Sequence, residues 1–264
     1  MKLPTSIENI LNENIVENAR LELKKNWNPE PILHTICAFA NDIDNWGGGY
    51  ILIGIEEENG RPKKPIIGLE LSEIDKIQKE LLAKCKLIQP SYTPIVDVAE
   101  YKGKNILVIW CFGGQTRPYK CPTTLDKDFS KGYSYYIRKM SSTVKATETE
   151  QKELYDIART IPFDDRMNHE AEIQDLKLPL IQNYLYEIKS DLLKESENMD
   201  FIDLCKSMRI VDGTPEYMKP LNIGLMFFND EPQKFFPYSQ IEVVDLRNGP
   251  EGDDMTERIF KGPI

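Results

Sequence analysis

Residues 30–60 read EPILHTICAFANDIDNWGGGYILIGIEEENG, and the order of their patterns decides the fold. Ile32, Ile36, Cys37, Phe39 and Ala40 recur at roughly helical spacing, so one face of a helix is buried here, and Asn41 ends it. Gly47, Gly48 and Gly49 supply backbone angles closed to other residues. Tyr50–Ile55 is then an unbroken apolar run whose β-branched content predicts a buried strand. Dinucleotide and phosphate-loop fingerprints need strand, glycines, then helix, so this reversed order reads as a structural turn. Glu56, Glu57 and Glu58 leave the core together at the strand end. Such carboxylates are solvated turn residues unless other acids converge on them as metal ligands or general bases.

The chain has 264 residues, 41% hydrophobic and 29% charged, ordinary values for a globular protein with room for one large domain or two small ones. No apolar stretch approaches a membrane span and no leader pattern opens the sequence, which places it in the cytoplasm without a membrane partner. Cys37, Cys85, Cys111, Cys121 and Cys205 lack paired spacing, and with His34 and His169 they form no zinc pattern; they read as reduced core thiols. The net charge of −10 is unevenly spread. Residues 1–160 carry 22 Lys+Arg and 22 Asp+Glu, against 11 and 21 in the remainder, so only the first part is suited to present a basic face to phosphates.

Outward from the opening stretch, Leu21 and Leu23 alternate with Glu22 and Lys24, the period of a strand. Ile66–Gly68 suggests a short return strand, and Ser72–Leu87 a helix capped at Ser72 with a stripe of Ile74, Ile77, Leu81, Leu82 and Cys85. Residues 94–101 and 106–112 flank a Lys102–Gly103 turn as a hairpin. Arg117 and Lys120 follow beside Tyr119, and the strand Tyr133–Arg138 ends in Arg138, Lys139, Ser141, Ser142 and Thr143, cations and hydroxyls suited to phosphate contacts or to a solvated turn. A helix opened by Thr147 or Thr149 closes the segment, and Pro162–Arg166 marks a boundary. The expected organisation is therefore a first domain over 1–161 and an acidic connecting region over 162–264. In the latter, Leu178–Ile188 and Phe201–Met208 read as helices, Leu221–Phe228 as a buried segment and Gln240–Leu246 as a strand. The fold class is α+β, a mixed sheet with packed helices followed by a smaller α-rich acidic region.

Glu17 and Glu22 sit five residues apart, entering and within one strand, and the Glu56–Glu58 cluster lies at the end of another. If those strands are neighbours, three acids meet, the hard-oxygen set that Mg²⁺ or Mn²⁺ phosphodiester chemistry requires.

Glu22-Leu-Lys24, Ala38-Phe-Ala-Asn41, Gly48-Gly49, Leu52-Ile-Gly-Ile55, Tyr136-Ile-Arg138 and Ser141-Ser-Thr143 together resemble the Schlafen AlbA-type DNA-binding domain over about residues 10–160. Pro162-Phe-Asp-Asp-Arg166, the 221–228 segment, Phe235-Phe-Pro237 and Phe260-Lys-Gly-Pro-Ile264 are similar to bacterial members. The resemblance implies a transcriptional-regulator-like protein that binds DNA or RNA, as a homodimer. It also implies a chain that stops before a histidine-kinase-like ATP-binding domain, through which alone ATP would enter. Phosphate contacts then fall to Lys24, Lys25, Arg117, Lys120, Arg138 and Ser142. Some animal Schlafen proteins are ribonucleases using two glutamates and an aspartate. Their glutamates match Glu17 and Glu22, and their aspartate falls at Glu57, one methylene longer; in that reading the three hold the metal and are catalytic. A third reading is a scaffold that dimerises and transmits the state of the ATP-binding domain.

Overall fold

The computed structural model describes residues 3–13, 19–196, 198–246 and 255–263. The chain divides into two compact units, Met1–Thr160 and Ile161–Ile264.

The first unit opens with α1 (Ile7–Glu13), β1 (Leu21–Lys24), α2 (Pro29–Asn41) and β2 (Gly49–Ile53). A two-residue hairpin, β3 (Glu57–Glu58) and β4 (Arg61–Pro62), leads to α3 (Leu71–Cys85) and the strands β5 (Ile95–Tyr101) and β6 (Lys104–Cys111). The main sheet has the order β1-β2-β6-β5. β1 and β2 run parallel, Leu21 opposite Tyr50 through Lys24 opposite Ile53, with α2 as their crossover; β6 is antiparallel to both its neighbours. β2 is therefore flanked by strands and covered on both faces, which is why its sequence is apolar without alternation. Ile51 and Ile53 join Leu107, Ile109 and Cys111 in the core under α2 and α3, while Tyr50 stacks on Trp110 at 6.4 Å on the reverse face.

A second sheet of the same unit is built from β7 (Lys120–Pro122), β8 (Tyr133–Lys139) and β9 (Ser142–Lys145), all antiparallel. Of its three strands only β8 is legible in the sequence; β7 follows the expected loop, β9 takes up the residues expected to end β8, and the separation from the main sheet has no local signal. α2 is wedged against it, and α4 (Glu148–Thr160) covers its other face through Ile137, Ala146 and Leu154. Thr147 and Glu150 form a capping box at the start of α4: Thr147 N donates to Glu150 Oε2 at 2.8 Å and Glu150 N to Thr147 Oγ1 at 3.4 Å.

Three local expectations change. Residues 66–68 form no strand; only Leu69 makes a bridge, to Asn105. α3 starts at Leu71 after Glu70, one residue before the expected cap, and Leu82 on its stripe is 53% exposed because the core contacts run through Ile74, Ile77, Leu81 and Cys85.

The second unit has a core of its own around Ile181, Leu185, Leu204, Cys205, Ile210 and Leu225. It contains α5 (Leu178–Glu187), α6 (Leu192–Glu195), α7 (Phe201–Ser207), the hairpin β10 (Val211–Thr214) and β11 (Tyr217–Pro220), α8 (Asn222–Phe228), and the hairpin β12 (Ile241–Leu246) and β13 (Met255–Phe260). The buried 221–228 segment is thus a helix, its inward residues Asn222, Leu225 and Phe228 spaced by three. Lys219 is buried because its ammonium donates to Ala171 O at 2.9 Å and Glu172 Oε1 at 2.6 Å, which compensates the lost hydration. Among the described residues no helix is long and apolar enough to cross a membrane.

Candidate nucleic-acid interface

The parallel register puts Glu22 opposite Ile51, on the sheet face that α2 covers, so a charged side chain points into a half-closed layer. It is only 7% exposed, and Arg138, its partner, 6%. Arg138 Nη1 donates to Glu22 Oε2 at 2.6 Å and to Thr143 Oγ1 at 3.0 Å. Lys24 Nζ lies 2.5 Å from Glu22 Oε1. Thr143 Oγ1 is 2.9 Å from Thr35 Oγ1 on α2, and the guanidinium lies 5.1 Å from the Phe39 ring centre. A buried ion pair loses hydration on both sides and holds only where geometry and further hydrogen bonds offset that loss. Here those bonds tie β1, α2 and the β8–β9 hairpin to one another.

The end of α2 is fixed by a second polar cluster. Asn41 is fully buried; its Nδ2 donates to Tyr119 O at 2.9 Å and Tyr136 O at 2.8 Å, and its Oδ1 accepts from Tyr119 N at 2.7 Å. Asp42, left-handed at φ 38°, accepts from the backbone N–H of Trp46 and Gly47, each at 2.9 Å, and so caps the glycine turn. Arg117 is turned inward. It donates to Gly114 O at 2.7 Å, Asp42 O at 2.9 Å and Asn45 Oδ1 at 2.6 Å. Burial pulls its guanidinium below the usual value, an effect that Asp42 opposes. His34 stacks on Tyr136 at 4.0 Å and bonds Pro122 O at 3.0 Å, and burial lowers its pKa.

The sequence-selected cations therefore fall into two groups. Arg117 and Arg138 are internal. Lys24, Lys25 and Lys120 reach solvent, Lys25 beside Glu56 at 3.4 Å and Lys120 over the Tyr133 ring at 5.9 Å. In the β8–β9 hairpin Arg138 is opposite Thr143, and Lys139 is opposite Ser142. Ser142 thus shares a face with Lys139, away from Arg138, and with Met140 and Ser141 it forms an exposed tip. Lys139 pairs with Glu150; the contact raises the lysine and lowers the carboxyl.

The three acids are not seen together. Glu17 lies outside the described residues. Glu22 is engaged by Arg138 and Lys24, and Glu57, in the β3–β4 hairpin, accepts from its own turn at Gly60 N. Among the described residues no group of three or more His, Cys, Asp or Glu side chains is placed to hold a metal ion. Sequence reasoning missed Asn41, Asp42 and Thr35 as fixing residues. Their signal is one polar residue, Thr35, amid the apolar middle of α2, and two more, Asn41 and Asp42, where the helix ends.

A mixed sheet with a parallel βαβ start, locked through a buried ion pair to a separate hairpin sheet, defines an α+β module. Residues 17–147 match the Schlafen, AlbA_2 family, and over them the chain belongs to that family. Among solved structures, the DIP2311 protein from Corynebacterium diphtheriae is similar at 17% identity, over 97% of this chain and 50% of that one, with a TM-score of 0.40. The N-terminal domain of a RecG-related protein from Nitrosomonas europaea is similar at 26% identity, over 43% of this chain and 74% of that one, with a TM-score of 0.33. The chain spans about half the length of the first of these. No curated protein matches the sequence.

Proposed function

We propose that the Met1–Thr160 unit binds nucleic acid, DNA foremost, as the recognition module of a transcription regulator. The observation that carries the reading is the build of the hairpin at the end of the family segment. Arg138 and Thr143 lock its inner face, and Lys139, Ser141 and Ser142 stand outside on a support that cannot sag. Lys24, Lys25, Lys120 and Ser142 contact phosphates; Arg117 and Arg138 position the elements that carry them. The Lys25 and Lys139 ammonium groups stand in solvent beside Glu56 and Glu150, so a phosphate competes with those carboxylates for them. With equal numbers of cations and anions in this unit, affinity rests on their local arrangement and not on net charge.

The test is fluorescence anisotropy of labelled duplex DNA, single-stranded DNA and RNA across a salt series. Log affinity is expected to fall linearly with log salt. Lys25→Ala and Lys120→Ala each weaken binding to every sequence alike and reduce the slope by about 1. Binding that is undetectable, or that ignores salt, overturns the proposal.

A further inference from the structure

Resting on the nucleic-acid reading, we infer that the glycine turn after α2 is a subsite for one unpaired nucleobase: Trp46 stacks it, and Asp44 selects guanine.

Trp46 is 49% exposed, whereas Trp110 is buried and Trp27 packs against the core. An exposed indole on a floppy loop would mean little, but the backbone of this turn is held from several sides. Asp42 binds its backbone N–H and that of Gly47. Asn45, left-handed at φ 53°, is pinned by Arg117, which also grips Asp42 O and Gly114 O. The buried arginine thus spends its donors on fixing the turn that presents the indole. A turn fixed before binding loses little further backbone freedom when a base stacks on the indole it carries.

Trp46 lines a small cleft together with Ala38, Asp42, Asp44, Gly48 and Arg138. The cleft itself is no larger than a water, so a base would stack on the outer face of the indole, beside the two carboxylates. Asp42 is occupied with the turn, while Asp44 is exposed. A carboxylate offers two acceptors side by side, and guanine alone presents two adjacent donors, N1–H and N2–H, on its Watson–Crick edge. Adenine and cytosine place an acceptor beside their amino group, and thymine or uracil flanks its single donor with carbonyls. That edge is available only in an unpaired base, so the ligand class is single-stranded nucleic acid.

The probe is a 12-nucleotide oligothymidylate with one central guanosine, compared with all-thymidine and central-abasic versions. Binding to the intact chain is followed by anisotropy and by tryptophan emission. Guanosine is expected to bind tightest and to quench emission, with the quench absent in Trp46→Phe. Trp46→Ala weakens the guanosine strand by about tenfold, the scale of one lost base stack, while Trp46→Phe retains most of the affinity. Asp44→Asn removes the preference for guanosine over thymidine. Thermal midpoints report whether each variant is folded. If Trp46→Ala binds as the parent does with the same salt dependence, the subsite is wrong and the phosphate-binding reading stands. Equal affinity of the parent for guanosine and thymidine strands overturns the role of Asp44. If the parent binds no strand and no duplex, both readings fall.

Discussion

The Arg138 guanidinium reaches Glu22 across 116 residues of chain, and neither side chain is left in water. Removing Glu22 strands the Arg138 guanidinium in a poorly hydrated layer, whereas removing Arg138 leaves Glu22 its contact with Lys24. Glu22→Gln is expected to cost about 3–5 kcal/mol, read as a shift in urea midpoint, and Arg138→Ala less. Replacing both together, as Glu22→Leu with Arg138→Met, is expected to cost less than Glu22→Gln alone, because no buried charge is left unpaired. A double variant as unstable as the sum of the singles would show that the pair contributes no coupling. Both residues stand out in the sequence as charges near strand ends, but there they read as solvent-facing ligands. Their partnership is a tertiary fact: it needs α2 to bring two sheets together, and no local pattern in β1 or β8 reports it. The same holds for Asn41, which the sequence marks as a helix end and the structure uses as a three-bond rivet between α2, the Tyr119 loop and β8.

Among the elements, the helix–turn–strand stretch that decides the fold was readable because its causes are local. Periodicity marks α2, and the apolar run marks β2. The turn was readable only in part. Gly47 and Gly48 do have left-handed backbone, at φ 83° and 79°, but Gly49 does not; an added Cβ there would lie 2.4 Å from the Phe39 ring, so closeness is its reason. Gly48 combines both demands, since its Cβ would fall 1.9 Å from Cys111 O on β6. Gly48→Ala is therefore expected to abolish soluble expression. Gly103, at φ 71° with open space around it, is the control: Gly103→Ala pays only the left-handed penalty of about 1–2 kcal/mol in thermal unfolding. Comparable losses at both sites would refute the crowding argument. The capping box of α4 adds a pH signature. The Lys139 hydrogen bond and the Thr147 backbone donor hold Glu150 below its ordinary value of 4.5. Its stabilisation is thus complete above pH 4.5 and is lost as the pH falls through the depressed folded value. Glu150→Gln should be less stable than the parent at pH 7, with the gap closing below pH 4.5. A constant gap from pH 7 to pH 3 would mean that the carboxylate charge is not what stabilises the cap.

At the scale of the whole molecule, the two units differ in charge more than in construction. Each has its own apolar core, but the first carries 22 cations and 22 anions through residue 160, and the second brings the entire excess, for a net charge of −10. Polyanion binding responds to this long-range field as well as to contacts, and the field is screened within about 10 Å at 0.1 M salt. The fragment 1–160 is therefore expected to bind DNA more tightly than the 264-residue chain at low salt. The two affinities should converge as salt rises, because screening removes the repulsion from the second unit first, while the contacts of Lys24, Lys25 and Lys120 are common to both. Paired anisotropy titrations of fragment and chain at increasing salt distinguish this from direct participation of the second unit. If that unit supplied contacts of its own, the longer chain would bind more tightly at every salt concentration and lose affinity more steeply. That result would move part of the recognition surface into residues whose composition, 11 cations against 21 anions, argues against it.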